Sequence, residues 1–266
     1  MFNVNFKTSV GTAHGRKNKA FDLVKTQTQP IKPQKTIPFK GGIDFILVNK
    51  CAQKLPINSE FKHIEDILKT LGVKELELGD NIELARLIKS AMCRLKRIGF
   101  DIPTKIKCSS KYFDNDPRIQ QELKVLKSKS PFNAKVTIPG YADWDGISEP
   151  VLYFNPNHNW HKGNGDWSKI NDQRHAIWHE TGHYLHMKNY KNNPYAFKTL
   201  TMTHLNDYQK EIFEKCIGKY SVDGPIAEAV AETFSKLVSG ESYNSLHPEI
   251  FHVYTKYNGP MPKIKK

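Results

Sequence analysis

The sequence predicts an α+β domain in which helices pack on a small mixed β-sheet. Short apolar segments typical of strands lie in the first half of the chain, whereas helical periodicity dominates the second half. The chain has 266 residues, of which 38% are hydrophobic and 25% charged. This length and composition are typical of a globular protein that can bury a core without disulfides or other staples.

The first half is expected to contain three helices and three strands. Ser59 is expected to cap a helix over residues 60–71, and Asp80 is expected to cap a longer helix that stops at Gly99. The strand that precedes Pro139 should end there, because Pro139-Gly140 is a turn signal. The remaining expected elements are a helix over 119–127 and strands over 105–108, 135–138 and 151–154.

The second half is expected to be mostly helical. Apolar residues at helical spacing and Gly or Pro breakers delimit its segments. The expected helices cover residues 168–189, 203–217, 225–239 and 248–257.

Residues 1–40 are predicted to be a disordered basic tail. They are polar, interrupted by prolines, and carry eight Lys or Arg against the single acid Asp22. The chain has a formal net charge of +13, which is compatible with nucleic acid, an anionic membrane or an acidic protein as a partner. Solvated tails and a solvated helix face explain the same charge, so a nucleic-acid partner stays open.

The cysteines and the N-terminus bear on the compartment. The four cysteines are scattered without a CxxC pair, which is typical of reduced thiols rather than a disulfide framework. No segment approaches the roughly 20 apolar residues of a membrane span, and the N-terminus lacks the apolar region of a cleaved signal. We therefore expect a cytoplasmic protein, or one exported without a classical signal peptide. The cysteines are Cys51, Cys93, Cys108 and Cys216.

The segment His179-Glu180-Thr181-Gly182-His183 is the candidate metal-binding motif of the chain. On a helix, residues four apart point in the same direction, so the two imidazoles can reach one tetrahedral Zn²⁺. Glu180 flanks that face and can accept a proton from a zinc-bound water. Three apolar residues on the opposite side repeat every seven positions and predict a core-facing back: Ile170, Ile177 and Tyr184.

Two histidines and a water leave the tetrahedron one ligand short. In one large class of zinc peptidases the third ligand is a histidine six residues after the second motif histidine. That position holds Asn189 here, and the intervening glycine position holds His186, so the chain departs from that class. His186 is instead expected to have a hydrogen-bonded structural role.

The predicted helix over 225–239 is expected to supply the missing ligand. Glu228 and Glu232 lie four apart among small and apolar residues, where a carboxylate is costly unless it is paired or bound to metal. Glu228 fits as the third ligand, and Glu232 fits as the acceptor for an imidazole N–H, which fixes the tautomer of that ring. A shifted helix would make Glu232 itself the ligand.

The pair His179–His183 with the downstream Glu228-Ala229-Val230-Ala231-Glu232 resembles the gluzincin zinc metallopeptidases. Within them it looks most like the single-domain lethal-factor-like and phage- or toxin-associated peptidases, over roughly residues 150–240. The resemblance implies a zincin-like fold, with Glu228 as zinc ligand. It also implies that Tyr220 stabilises the transition state and that Val151–Phe154 is the edge strand that holds the substrate backbone.

The expected function is a zinc-dependent endopeptidase with one Zn²⁺, Glu180 as general base, and a protein or peptide substrate. The oxyanion donor would be Tyr220, His204 or His247. The domain is expected to span 41–260, with an N-terminal part over 41–135 and a catalytic core over 136–260.

Two alternatives remain. The first is a non-proteolytic metal-bearing protein with a binding or structural role, associated with a phage particle or with nucleic acid. The second is a secreted effector or toxin with a peptidase domain, in which the basic residues 1–40 would be an export segment. A separate hypothesis concerns a second metal, bound by His158 and His161 in a glycine-containing loop.

Overall fold

The computed structural model describes residues 56–129, 137–160 and 168–263. The predicted tail over 1–40, Cys51 and His161 lie outside the described residues. So does the N-terminal end of the expected domain, residues 41–55.

The described strands form one small mixed sheet. They are β1 (Glu75–Glu77), β2 (Lys105–Cys108), β3 (Gly140–Asp143) and β4 (Val151–Phe154). Their order is β1-β2-β4-β3, with β1, β2 and β4 parallel to one another and β3 antiparallel to β4. The sheet and its helices confirm the predicted α+β class.

Helices make up most of the described residues. The helices before the motif are α1 (Ile57–Leu71), α2 (Ile82–Arg97), α3 (Lys111–Asp114) and α4 (Pro117–Lys129). The motif helix and those after it are α5 (His175–Asn189), α6 (Pro194–Leu200), α7 (Asp207–Cys216), α8 (Tyr220–Asp223), α9 (Ile226–Ser239) and α10 (Pro248–Lys256), with a 3₁₀ turn at Tyr243–Ser245. None of the helices described combines the length and apolar character that crossing a bilayer requires.

The two N-terminal helices begin at other residues than expected. Asn81 rather than Asp80 caps α2, because its side-chain oxygen accepts the N–H of Leu84 at 3.0 Å. Ser59 lies inside α1 and donates to the carbonyl of Pro56, so it is not the cap. The apolar stripe of α2 is buried as its spacing predicts, at Leu84, Ala85, Ile88, Ala91, Met92 and Leu95.

The prediction of a strand over residues 135–138 is wrong for residues 137 and 138, which are the two that the structure describes. Residues 137 and 138 are irregular, and strand β3 begins only after Pro139, whereas residues 135 and 136 lie outside the described residues. Proline has no N–H to donate, yet its carbonyl can still accept, and that of Pro139 accepts the N–H of Asn155 at 2.9 Å. The strand that pairs with β4 therefore begins directly after Pro139, where the turn signal had predicted that a strand would end.

The expectation that Val151–Phe154 is an edge strand is also wrong. This segment, β4, pairs with β2 on one side and with β3 on the other. Among the described strands, β3 forms the edge of the sheet beside the motif helix.

The core centres on the contact between α5 and α9. Gly182 permits a close approach, because a Cβ at this position would lie 3.0 Å from Cδ1 of Phe234 and 3.1 Å from Cα of Ala231. Ile177 and Tyr184 are completely buried on the back of α5, as their spacing predicts. The helices expected over 225–239 and 248–257 are present as α9 and α10.

Helix α5 is shorter than expected, because it begins at His175 rather than at residue 168. The side chain of Asp172 accepts the N–H of Arg174 at 2.8 Å, and its carbonyl accepts the N–H of His175 at 3.0 Å. This local turn replaces the first helical turns. Helix α7 likewise begins only at Asp207, after a capping box formed by Asn206 and Gln209.

The three described cysteines, Cys93, Cys108 and Cys216, are free thiols. Cys108 is buried in the sheet, and burial raises the pKa of its thiol. This agrees with the prediction of reduced cysteines for these three positions.

Candidate metal centre

Three side chains from two helices converge on one point. The Nε2 atoms of His179 and His183, one turn apart on α5, lie 3.0 Å from each other. Oε2 of Glu228, in the first turn of α9, lies 3.1 Å from Nε2 of His179 and 3.3 Å from Nε2 of His183. The structure thus brings together the three residues that the sequence predicts as ligands.

The dimensions of this triangle suit a metal ion. In a tetrahedral site with bonds of about 2.0–2.1 Å, neighbouring ligand atoms lie about 3.3 Å apart. The three observed separations are 3.0, 3.1 and 3.3 Å, so a single ion can contact all three atoms. Two imidazole nitrogens and one carboxylate oxygen are also ligand types that Zn²⁺ prefers.

Glu232 supports this triangle from inside the protein. Its carboxylate is completely buried, and Oε1 lies 2.7 Å from Nδ1 of His179. Nδ1 of His179 therefore donates to Glu232, which leaves the Nε2 lone pair directed at the candidate ion. The alternative in which Glu232 replaces Glu228 within the triangle does not fit this geometry, because Glu232 faces the opposite nitrogen of the ring.

Two further residues complete the surroundings of Glu232. Nε2 of His175 lies 3.0 Å from Oε1, and the hydroxyl of Ser168 donates to Oε2 at 3.2 Å. His175, His179 and Glu232 form a second group of three that lie close enough to share an ion. The two groups differ in access to solvent, because the side chain of Glu228 is 24% exposed and that of Glu232 is 0% exposed.

The pKa values reflect this packing. Burial alone would lower the pKa of His179, but hydrogen bonds and charges from Glu228 and Glu232 raise it well above its usual value. Burial opposes ionisation of both carboxylates, yet His183 and His179 lower the pKa of Glu228. Hydrogen bonds to His175 and His179 lower the pKa of Glu232 to about 2. The carboxylates are therefore ionised at neutral pH and available to a cation.

Glu180 lies beside the triangle, against the edge strand β3. Its Cγ lies 3.2 Å from where a Cβ of Gly140, the first residue of β3, would stand. Burial raises the pKa of Glu180, and the negative charge of Glu228 raises it further, although His179 and His183 oppose the shift. A carboxylate with a raised pKa is a suitable general base.

Tyr220 borders the site on its exposed side. Its ring packs edge-on against His179, with centroids 5.3 Å apart, and the residue is 40% exposed. The negative charge of Glu228 is the largest cause of a raised pKa for Tyr220, followed by burial and the charge of Glu180. The phenol therefore stays protonated at neutral pH and can donate a hydrogen bond.

The other two candidate oxyanion donors are engaged elsewhere. Nδ1 of His204 lies 3.2 Å from the carbonyl of Gly224, and Nδ1 of His247 accepts the N–H of Glu249 while capping α10. Among the described contacts, none joins either ring to the three ligand atoms. Of the three candidates, Tyr220 is the one whose described contacts include a candidate ligand residue, His179.

Two other histidines have partners outside the triangle. Nε2 of His186 lies 2.6 Å from the carbonyl of Tyr257, in agreement with the expected structural role. Nδ1 of His158 lies 2.8 Å from the hydroxyl of Thr137, while its proposed metal partner His161 lies outside the described residues.

Sequence reasoning missed two residues near the site. His175 lies four residues before His179, so the helical spacing that identified His179 and His183 extends one turn further. Ser168 is part of the irregular segment before α5 and gives no sequence signal.

A comparison of the chain with protein-family models, with curated proteins and with solved structures finds no match. The interpretation of the site therefore depends on the residues and distances given above.

Proposed function

We propose that the protein is a zinc-dependent peptidase that hydrolyses peptide bonds at the site formed by His179, His183 and Glu228. The observation that carries this proposal is the triangle of two imidazole nitrogens and one carboxylate oxygen with a second carboxylate, Glu180, beside it. A zinc ion bound there would lower the pKa of a water and polarise the substrate carbonyl.

The protein's own groups then have separate tasks. Glu180 accepts the proton of the attacking water and passes it to the amine that leaves. The phenol of Tyr220 donates to the oxygen on which negative charge develops. Glu232 holds the ring of His179 in one tautomer through the 2.7 Å contact with Nδ1.

The edge strand supports a peptide as the substrate. β3 pairs with β4 along one side only among the described strands, and its Gly140 lies against the side chain of Glu180. An extended peptide that adds to β3 by backbone hydrogen bonds would run past Glu180 and the ligand triangle. The substrate's scissile bond would thereby reach the site without a deep pocket.

The open geometry argues against a purely structural ion. A structural zinc site closes its fourth position with a protein ligand. Among the described residues, the groups that could hold an ion contain three members each, and the one with Glu228 is partly exposed. In the proposed site, the fourth position would then take water or substrate, as catalysis requires.

The test is Glu180→Gln in the full chain. Glutamine keeps the size of the side chain but cannot accept a proton, so we expect kcat on casein or a peptide library to fall about 10²–10⁴-fold with zinc content unchanged. Zinc content is measured on the purified proteins, and hydrolysis is measured with and without a chelator.

The matched control is Glu214→Gln, an exposed Glu on α7, which should leave both zinc content and hydrolysis unchanged. Unimpaired hydrolysis by Glu180→Gln would remove Glu180 from the mechanism. A purified wild-type chain that holds no divalent ion and cleaves no peptide would remove the peptidase proposal itself.

A further inference from the structure

His175 forms part of a buried chain of hydrogen bonds that ends at the metal ligand His179. Glu232 lies at its centre and receives three donors: Nδ1 of His179 at 2.7 Å, Nε2 of His175 at 3.0 Å and the hydroxyl of Ser168 at 3.2 Å. All four residues are buried, with exposures from 0% for Glu232 to 8% for Ser168.

A buried carboxylate is costly unless donors occupy its oxygens. His179 alone would satisfy one position on Oε1 of Glu232 and leave Oε2 without a donor. His175 lies within 3.1 Å of Oε2 as well as 3.0 Å of Oε1, and Ser168 donates to Oε2. Ser168 is itself held by the N–H of Ile170 at 3.3 Å. His175 and Ser168 therefore fix both the charge and the orientation of Glu232.

The geometry points to His175 as a positioning residue for the metal site, acting on His179 through Glu232. We infer that its Nε2–H holds the Glu232 carboxylate in the plane that aligns the His179 ring, and so sets the affinity of the ion. The inference rests on the metal site of the proposed function and does not depend on proteolysis.

The helix geometry explains why this residue can have that role. His175, His179 and His183 follow one another at intervals of four on α5, so their rings lie along one face of the helix. Glu228 and Glu232 lie four apart on α9, opposite that face. The first two histidines share Glu232, and the last two share Glu228, so the two helices interlock through alternating imidazoles and carboxylates.

A second metal ion would use the same atoms in a different way. An ion bound by His175, His179 and Glu232 would need the Nδ1 lone pair of His179, which then could not donate to Glu232. Stoichiometry separates the two arrangements, because a positioning role predicts one ion per chain and a second site predicts two.

The experiment measures Zn²⁺ affinity by competition with a chromophoric chelator, using the full chain. His175→Phe removes the donor while keeping an aromatic ring, and we expect Zn²⁺ to bind about 10- to 100-fold more weakly. His175→Gln restores an N–H near the position of Nε2 and should recover most of the affinity. Ser168→Ala, a smaller change, should weaken binding less than His175→Phe.

The matched control is His186→Phe, which replaces another buried histidine of α5 that bonds to the carbonyl of Tyr257 rather than to Glu232. It should lower Tm but leave Zn²⁺ affinity near that of the wild type. The visible spectrum of the Co²⁺-loaded protein gives a second readout, which should change in His175→Phe and not in His186→Phe.

Affinity and Co²⁺ spectrum that stay unchanged in His175→Phe, or two ions per chain in the wild type, would overturn this inference and leave the peptidase proposal intact. A wild-type chain that binds no Zn²⁺ would overturn both. If His175→Phe does not fold, the Zn²⁺ affinities of Ser168→Ala and His175→Gln decide instead. The inference would be contradicted if Ser168→Ala bound Zn²⁺ as tightly as the wild type and His175→Gln lost Zn²⁺ binding completely.

Discussion

Glu228 and Glu232 lie one turn apart on α9, yet their surroundings differ. The side chain of Glu228 is 24% exposed and shares Oε2 between the Nε2 atoms of His179 and His183. That of Glu232 is 0% exposed and receives donors from His175, His179 and Ser168. Both face the same ring of His179 from opposite nitrogens.

In the proposed site, this difference distinguishes the expected metal ligand, Glu228, from the carboxylate that supports it, Glu232. A ligand needs an oxygen with access to the ion and to solvent, whereas a supporting carboxylate needs every oxygen occupied by a donor. The first turn of α9 also places Glu228 at the helix N-terminus, where the exposed N–H groups favour a negative charge. Helical spacing alone makes the two positions equivalent, and only the neighbouring side chains distinguish them.

The largest expected effect comes from Glu228→Gln. The variant keeps the shape of the side chain but loses the charge that faces both ligand nitrogens. We expect the purified chain to lose stoichiometric Zn²⁺ and, with it, all peptide hydrolysis, as measured by metal analysis and by cleavage of casein. Stoichiometric zinc in this variant would show that Glu228 is not the third ligand.

Glu232→Gln should have a smaller effect on the metal. Because the amide cannot accept from all three donors, we expect Zn²⁺ affinity to fall about 10- to 100-fold, with some hydrolysis kept at saturating zinc. Chelator competition on Glu228→Gln and Glu232→Gln shows which of the two variants loses more Zn²⁺ affinity. A larger loss for Glu232→Gln than for Glu228→Gln would reverse the roles assigned to the two carboxylates.

The smallest expected effect is on the pH dependence of the metal-free chain. The pKa of Glu232 is lowered to about 2 from a usual value of 4.5. Its ionised form therefore contributes stability that is fully present above pH 4.5 and is lost as the pH falls towards 2. Urea unfolding in the presence of a chelator should show the free energy of unfolding falling more steeply between pH 4.5 and pH 2 for the wild type than for Glu232→Gln. Equal slopes of this free energy against pH would contradict the buried, ionised state of Glu232.

The candidate site was more predictable from sequence than the fold around it. The proposed ligand positions follow from helical spacing, because His179 and His183 lie on one regular helix and Glu228 on another. The position of β3 was missed because residues 140–143 carry turn-like signals that pairing with β4 overrides. For the same reason, β4 could not be recognised as an inner strand before its partners were known.

The start of α5 and the residues that support Glu232 show a second limit of prediction from the sequence. Asp172 ends the irregular segment through two local hydrogen bonds, which a periodic pattern of apolar residues cannot reveal. Ser168 reaches Glu232 across 64 positions of sequence, so its role depends wholly on tertiary structure. His175 did carry a signal, the repeated spacing of four, because it continues the ligand face of the helix.

X-ray absorption at the zinc edge tests the central claim most directly, on the zinc-loaded full chain and on Glu228→Gln. For the wild type we expect one zinc site with two imidazole nitrogens and oxygen ligands at about 2.0–2.2 Å, and a loss of the two-imidazole, carboxylate signature in the variant. A wild-type spectrum with sulfur ligands, with no imidazole, or identical to that of the variant would contradict a site built from His179, His183 and Glu228.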